Sequence, residues 1–216
     1  ATGGAVSLVL DAPFSRVGTD RRAFLQSYGL PERERDMTAQ AIIDVRRAYD
    51  ILVERDDVDP ARLGYVGHSW GASTGSTLAA VDERPAALIL IAPRPSWTGF
   101  LATSDDGWVA GARALVGAEK FDVYLEVMAP FDAMAIADQL DGERIYLQYG
   151  TIDEVVPPDV AQELIEAVPD ATLSTYEAEH ALDDAATADR AAWLVERLGL
   201  GPISPETLAT VGLPDE

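Results

Sequence analysis

The chain has 216 residues, of which 48% are apolar and 25% charged, and its formal net charge at pH 7 is −21. This length and apolar content predict one well-buried globular domain and exclude an intrinsically disordered chain. The acidic excess opposes binding to nucleic acid or to an anionic membrane, because such partners need clustered Lys and Arg, and the lack of cysteine excludes disulfides, thiol nucleophiles and thiolate metal sites.

The first third of the chain contains two segments with regular apolar patterns. Val6–Leu10 is a short run of β-branched residues and leucine that ends shortly before Pro13, which predicts a strand. From Thr38 to Arg55, apolar residues recur at steps of three and four, which is the period of an amphipathic helix.

Strands and helices alternate through the rest of the chain. We predict strands over Leu63–Val66, Ala87–Ile91, Arg144–Tyr149 and Ala171–Tyr176, and helices over Trp70–Val81, between Pro158 and Pro169, and from Asp183 to Leu198. Gly75 indicates that another group closely approaches the first of these helices. The alternation is typical of an α/β fold with a mostly parallel sheet and helices on both faces. It predicts one domain over 1–200 and a C-terminal tail over 201–216.

One connection is longer than a crossover between neighbouring strands needs. Residues 93–143 contain six aromatic side chains, among them Trp97 and Trp108. Connections of this length often form a lid or a wall of a binding site. We therefore predict a lid-like insertion over 93–143 in which Trp97 and Trp108 bind substrate. The alternative is that the aromatic residues form a small core of their own.

The segment Gly67-His68-Ser69-Trp70-Gly71 fits the G-x-S-x-G pattern of a nucleophile elbow. It lies between a predicted strand and a predicted helix, which is the context that such an elbow requires. We expect glycine at positions 67 and 71 because side chains there would collide with neighbouring backbone. Ser69 is therefore the predicted nucleophile.

A serine hydroxyl needs a base to accept its proton, and that base is normally histidine. The chain contains two histidines. His68 is adjacent to Ser69 on the elbow, so its side chain is expected to point away from the hydroxyl and to pack. His180 follows the last predicted strand, at the same edge of the sheet as Ser69, and is the predicted base.

A carboxylate at the end of an intervening strand should orient the imidazole and stabilise its cation. Asp153 fits this role because it follows the predicted strand Arg144–Tyr149. Glu154, its neighbour, and Asp132, at the end of the long insertion, are the alternatives.

The order Ser69, Asp153, His180 within GHSWG, GTIDEVVPP and EHALDD resembles the α/β-hydrolase superfamily, and in particular its dienelactone-hydrolase-like and acetyl-esterase-like branches. The likeness extends from about Gly4 to Leu200. It implies an α/β-hydrolase fold and hydrolysis of small carboxylic esters through an acyl-serine, with no cofactor and no metal. Dienelactone hydrolases use cysteine as their nucleophile, so Ser69 shifts the comparison towards esterases.

The chain departs from the family pattern at its beginning. Family members carry a His-Gly-rich loop whose backbone N–H joins that of the residue after the nucleophile in the oxyanion hole. No such loop precedes Val6, so Trp70 N–H is one expected donor and the second is unassigned. The strand with that loop would lie between Val6–Leu10 and Leu63–Val66. We expect that these two strands pair directly or that a partner chain or, the favoured alternative, an upstream segment fills the gap.

These observations predict a serine esterase that acts on a small-molecule ester. One alternative is a peptidase of the prolyl-oligopeptidase type, and another is a catalytically inactive hydrolase-fold protein that binds or has a structural role. No signal peptide is visible, so a cytoplasmic location is expected. Self-association into a homo-oligomer stays open.

Overall fold

The computed structural model of the protein describes residues 4–16 and 30–202. Within these residues, parallel strands form one sheet in the order β1-β2-β3-β4. Their bounds are Leu63–His68 (β1), Pro85–Ile91 (β2), Ile145–Gly150 (β3) and Thr172–Tyr176 (β4). Because the strands are parallel, their carboxyl ends meet at one edge of the sheet. The predicted α/β fold with a parallel sheet is confirmed.

Helices connect the strands and flank the sheet. Their bounds are Pro31–Val53 (α1), Trp70–Val81 (α2), Trp97–Thr103 (α3), Gly107–Val116 (α4), Ala118–Met128 (α5), Pro158–Ala167 (α6) and Asp184–Leu198 (α7). The α1 helix begins before the predicted Thr38. Pro31 occupies its first turn, where the missing N–H costs nothing, and Glu32 and Glu34 lie near its positive N-terminal end.

Apolar side chains on both faces of the sheet are covered by helices. On one face Leu88, Leu90 and Leu147 belong to the main core, which includes residues of α1, α2 and α6. On the other face Ile89 and Tyr146 pack against Trp193 and Leu194 of α7. Successive residues of a strand point to opposite faces, so β2 is apolar on both. Burial of each aliphatic side chain contributes ~1.5–3 kcal/mol.

The α2 helix lies directly against β1 and β2, as Gly75 predicts. A Cβ atom at Gly75 would lie 2.5 Å from Cε1 of Tyr65 and 2.6 Å from Cδ2 of Leu90. Any larger residue there would push α2 away from the sheet. Since α2 begins at the elbow, this close packing also fixes the position of Ser69.

The insertion over 93–143 folds into α3, α4, α5 and a series of short 3₁₀ turns before β3. Leu101, Val109, Phe121, Tyr124 and Met128 form a separate buried cluster in it. The α5 helix packs against α1, and the hydroxyl of Tyr124 donates a 2.9 Å hydrogen bond to Glu34. Part of the aromatic set is therefore a small core of its own, which was the alternative reading of this segment.

Val6–Leu10 is not a strand, and this prediction is wrong. The segment has no regular secondary structure and is exposed, with Val9 93% accessible, and it makes no hydrogen bond to β1 among the described residues. A cavity of about 870 Å³ separates residues 4–16 from β1 instead. Direct pairing with Leu63–Val66, one of the three alternatives for this gap, is absent among the described residues. A strand needs a neighbour that pairs with its backbone groups, and no described strand lies in this gap.

Two further expectations concern the ends of the chain and the membrane. Most of the predicted tail, residues 203–216, lies outside the described residues. In the part of the chain that the structure describes, no helix combines the length and the apolar character needed to cross a membrane.

Candidate active site

Ser69 lies in the tight turn between β1 and α2. Its backbone angles are φ 53° and ψ −114°, a conformation that costs a non-glycine residue about 1–3 kcal/mol. Two hydrogen bonds hold it there: Ser69 N–H donates to the Ile91 carbonyl at 2.8 Å, and Ser73 N–H donates to the Ser69 carbonyl at 3.0 Å. The turn places Ser69 at the carboxyl edge of the sheet, as the elbow pattern predicts.

The two glycines of the elbow differ in the steric contacts that a side chain at each position would make. A Cβ atom at Gly67 would lie 2.5 Å from the carbonyl oxygen of Gly71, so a side chain there would displace the backbone. At Gly71 the nearest atom to a Cβ would be the Tyr65 hydroxyl at 3.9 Å, which is ordinary contact. The expected collision is therefore present at Gly67, two residues before Ser69, and absent at Gly71.

Hydrogen bonds between the loops after β3 and β4 bring Asp153 and His180 together. Thr151 N–H donates to the Tyr176 carbonyl at 2.7 Å, which joins the two loops. Nδ1–H of His180 then donates to Oδ2 of Asp153 at 2.8 Å. Because β3 and β4 are adjacent and parallel, residues that are 27 positions apart meet at one edge.

The carboxylate of Asp153 is buried and oriented by backbone donors. Its other oxygen, Oδ1, accepts hydrogen bonds from Val155 N–H at 2.7 Å and Val156 N–H at 2.9 Å. Glu154 is exposed. Asp132 is not bonded to His180: it accepts from Ser96 Oγ at 2.7 Å and from Trp97 N–H at 2.8 Å. Of the three candidate carboxylates, Asp153 is the one bonded to His180.

The second ring nitrogen of His180 has a different environment. With Nδ1 protonated, Nε2 carries a lone pair and is a hydrogen-bond acceptor. Among the described residues, Nε2 is the buried side-chain nitrogen or oxygen that has no hydrogen-bond partner. A buried acceptor without a partner lowers the stability of the fold by about 1–3 kcal/mol. Such an atom therefore usually has a functional role.

His68 contacts His180, a role that the sequence did not indicate. Nε2–H of His68 donates to the His180 carbonyl at 2.9 Å, and the two ring centroids are 4.9 Å apart. Burial lowers the pKa of His68, so the neutral ring is favoured. The residue adjacent to Ser69 thus links the elbow to the His180 loop. The two histidines are 112 positions apart, and no local pattern could reveal the contact.

A cavity of about 350 Å³ opens beside Ser69. Its walls come from the turn at Trp70, from α1, from the Asp153 loop and from the insertion, which contributes Arg94, Trp97 and Phe131. Trp108 does not line this cavity and is 49% exposed. It stacks on Trp97, with ring centroids 6.1 Å apart. A role of Trp108 in substrate binding stays a prediction, in which Trp108 acts through its contact with Trp97.

Arg94 is a second residue near Ser69 that no sequence pattern indicates. It follows β2 and lines the cavity together with Ser69. Its guanidinium donates to the Val155 carbonyl and lies 4.2 Å from the ring centroid of Phe100. A single arginine between two prolines has no distinguishing pattern, so only the fold could identify it.

Trp70 begins α2, and the N–H groups of a first helical turn have no acceptor within their own helix. Its indole packs edge-on against Phe14, with centroids 4.9 Å apart. This contact brings the segment 4–16 to the elbow.

No group of three or more His, Cys, Asp or Glu side chains that could hold a metal ion is present in the described residues.

Comparisons with known proteins concern the fold of this chain. No protein-family model matches the chain. A stretch of 74 residues, 34% of the chain and 24% of the relative, is 34% identical to the polyketide transferase claH of Penicillium crustosum.

Similar solved structures include the acetyl xylan esterase of Paenibacillus sp. R4 (17% identity, TM-score 0.63, 74% of this chain and 53% of that one). Another is 2,6-dihydroxy-pseudo-oxynicotine hydrolase (20% identity, TM-score 0.56, 74% of this chain and 47% of that one). A third is an esterase of Pyrococcus furiosus (16% identity, TM-score 0.54, 72% of this chain and 61% of that one). The chain spans about half the length of the first two. It has the α/β-hydrolase fold, as the sequence resemblance predicts.

Proposed function

We propose that the protein is a serine hydrolase that cleaves carboxylic esters through an acyl-serine intermediate. The observation that carries this proposal is the hydrogen bond from His180 Nδ1 to the buried Asp153, which leaves Nε2 of His180 as a partnerless acceptor. Nε2 accepts the proton of Ser69 Oγ as that oxygen attacks the ester carbonyl carbon. The departing alcohol takes this proton, and water then cleaves the acyl-serine by the same route.

Nearby groups of the protein stabilise the charges that develop in this reaction. Asp153 faces the imidazolium that forms on His180, and its remaining oxygen is held by two backbone N–H groups. The oxyanion of the tetrahedral intermediate lies near Trp70 N–H at the positive end of α2. Donors fixed in this way need no reorganisation during the reaction, which is why they lower its barrier.

The cavity supports a small substrate. Its volume of about 350 Å³ is at the lower end of the range of ligand pockets, and Trp97, Met128 and Phe131 make it largely apolar. We therefore assign a short acyl or alcohol group to this space.

The test is turnover of a chromogenic acetyl ester by the purified chain. Ser69→Ala should lower kcat by roughly 10⁶-fold, because the three groups act as a unit. Ser76→Ala is the matched control: Ser76 is on the same helix, but its hydroxyl is buried and bonds within the helix. The control should keep its activity. Equal rates for the wild type and Ser69→Ala would overturn the proposal.

Two other functions make different predictions in the same assay. A peptidase uses the same three groups, but it would cleave an acetyl anilide, the amide counterpart of the acetyl ester, with a kcat/KM comparable to that of the ester. A catalytically inactive binding protein would cleave neither compound.

A further inference from the structure

Arg94 presents a positive charge to the cavity beside Ser69. Among the described residues that line this cavity, Arg94 is the one cationic side chain. Its guanidinium stacks on Phe100, 4.2 Å from the ring centroid, and lies 5.9 Å from the centroid of Trp97. The hydrogen bond to the Val155 carbonyl fixes its orientation. These contacts hold the head group in place without neutralising its charge.

No carboxylate neutralises Arg94 at salt-bridge distance among the described residues, although the chain has 37 acidic residues against 16 basic ones. Arg84, by contrast, is paired with both Asp82 and Asp50. Burial lowers the pKa of Arg94, and the more distant Asp153 and Asp106 oppose that effect. A guanidinium stays protonated at any working pH, so the cavity contains a partly desolvated cation with donors to spare.

The acidic residues of the cavity wall are already engaged by donors of the protein. Asp132 accepts hydrogen bonds from the Ser96 hydroxyl and from the backbone of α3. Glu34 accepts the hydroxyl of Tyr124. Their negative charges repel an anion elsewhere in the cavity, so an anionic group has one favourable position, against Arg94.

From this arrangement we infer that Arg94 is the binding subsite for a carboxylate and that the substrate is a small ester that carries one. The inference rests on the proposed function and specifies its substrate class. A guanidinium binds a carboxylate through parallel N–H···O bonds, and a half-buried location strengthens them. The chain's net charge of −21 opposes the approach of an anion, so recognition depends on this local cation.

The test compares anionic esters with neutral partners of the same size. For the acyl side, the 4-nitrophenyl monoester of adipic acid is compared with 4-nitrophenyl hexanoate. For the alcohol side, 4-acetoxybenzoate is compared with 4-acetoxybenzamide. Arg94→Met removes the charge, and Arg94→Lys retains it without the planar fork. The matched control is Arg113→Met, because Arg113 also stacks on an aromatic ring and donates to backbone carbonyls but lies outside the cavity.

We expect Arg94→Met to lower kcat/KM roughly 10- to 100-fold for the anionic ester of at least one pair, which corresponds to one charge-assisted hydrogen bond. The neutral partner should change less than about threefold, Arg94→Lys should lie between, and Arg113→Met should not discriminate. Equal losses for the anionic and neutral esters in both pairs would show that Arg94 only holds the Asp153 loop, and would overturn the inference.

A binding measurement separates this inference from the proposed function. Calorimetric titration of the Ser69→Ala protein with hexanoate tests the subsite without any reaction. If no ester is hydrolysed but hexanoate binds and Arg94→Met abolishes that binding, the subsite stands and the esterase proposal fails. If esters are hydrolysed and hexanoate binding does not depend on Arg94, the subsite is overturned and the esterase proposal stands.

Discussion

The imidazole of His180 is oriented by one buried carboxylate, and this arrangement predicts different results for two neighbouring acids. Asp153→Asn should lower kcat about 10⁴-fold, because the amide favours the wrong tautomer of the ring while nucleophile and base remain. Glu154→Gln should change kcat only a few-fold, because Glu154 is exposed. Steady-state kinetics with an acetyl ester measure both variants. A larger loss in Glu154→Gln than in Asp153→Asn would contradict the assignment of Asp153.

His68 predicts a stability change at mildly acidic pH. Its pKa is lowered by burial in the folded protein, so the unfolded chain binds a proton more readily. The contribution of neutral His68 is complete above its ordinary pKa of about 6.5 and is lost as the pH falls below that value. Urea unfolding at pH 7.5 and pH 5.0 should show a smaller loss of stability in His68→Gln than in the wild type. Identical losses in the two proteins would exclude this origin.

At the level of secondary-structure elements, the two stacked tryptophans of the insertion have different environments. Trp97, at the start of α3, lines the cavity, whereas Trp108, on α4, stacks on Trp97. Trp97→Ala should therefore change kcat/KM unequally for acetyl and hexanoyl esters, because the wall that contacts the substrate is removed. Trp108→Ala should have a smaller effect that is similar for both esters. A chain-length dependence in Trp108→Ala alone would reverse this assignment.

The packing of α2 holds the elbow against the sheet. Tyr65 and Leu90 fill the space that a side chain at Gly75 would need, and the Tyr65 hydroxyl donates to the Gly71 carbonyl at 2.7 Å. The first and middle turns of α2 are therefore both fixed to the sheet. This packing opposes relaxation of the strained backbone at Ser69, which must otherwise release about 1–3 kcal/mol.

For the molecule as a whole, the described sheet has an uncovered edge at β1. Edge strands present unpaired backbone N–H and C=O groups, and Val66 is half-exposed beside the cavity that separates β1 from residues 4–16. We expect the 216-residue chain to self-associate at this edge. The net charge of −21 opposes association, so added salt should strengthen it.

Sedimentation velocity at low and high salt measures this self-association. Val66→Lys adds a positive charge at the edge and should weaken association. Natural edge strands use lysine in this way to prevent pairing with another chain. Leu173→Lys is the control at the opposite edge, since Leu173 is on β4 and is also partly exposed. A monomer at every salt concentration would contradict the prediction.

The amino-acid sequence alone predicted the described strands after residue 63 and the helices that join them outside residues 93–143, and it indicated Ser69, Asp153 and His180 as the candidate site residues. These features follow from local patterns: apolar runs, glycine and proline at turns, and a polar residue directly after a strand. In a parallel sheet, the carboxyl ends of the strands meet at one edge. The residues that follow each strand therefore predicted that Asp153 and His180 meet, without knowledge of the distance between them.

Only the tertiary structure decided the remaining features, because each depends on a partner distant in the chain. Val6–Leu10 has the composition of a strand, but a strand forms only against a neighbour that pairs with it. His68 and Arg94 have no local pattern. Their roles arise from contacts with the His180 carbonyl and with Val155, which the fold brings to the same edge as Ser69. Trp97 and Trp108 could not be told apart in the sequence, and in the fold Trp97 lines the cavity whereas Trp108 stacks on Trp97.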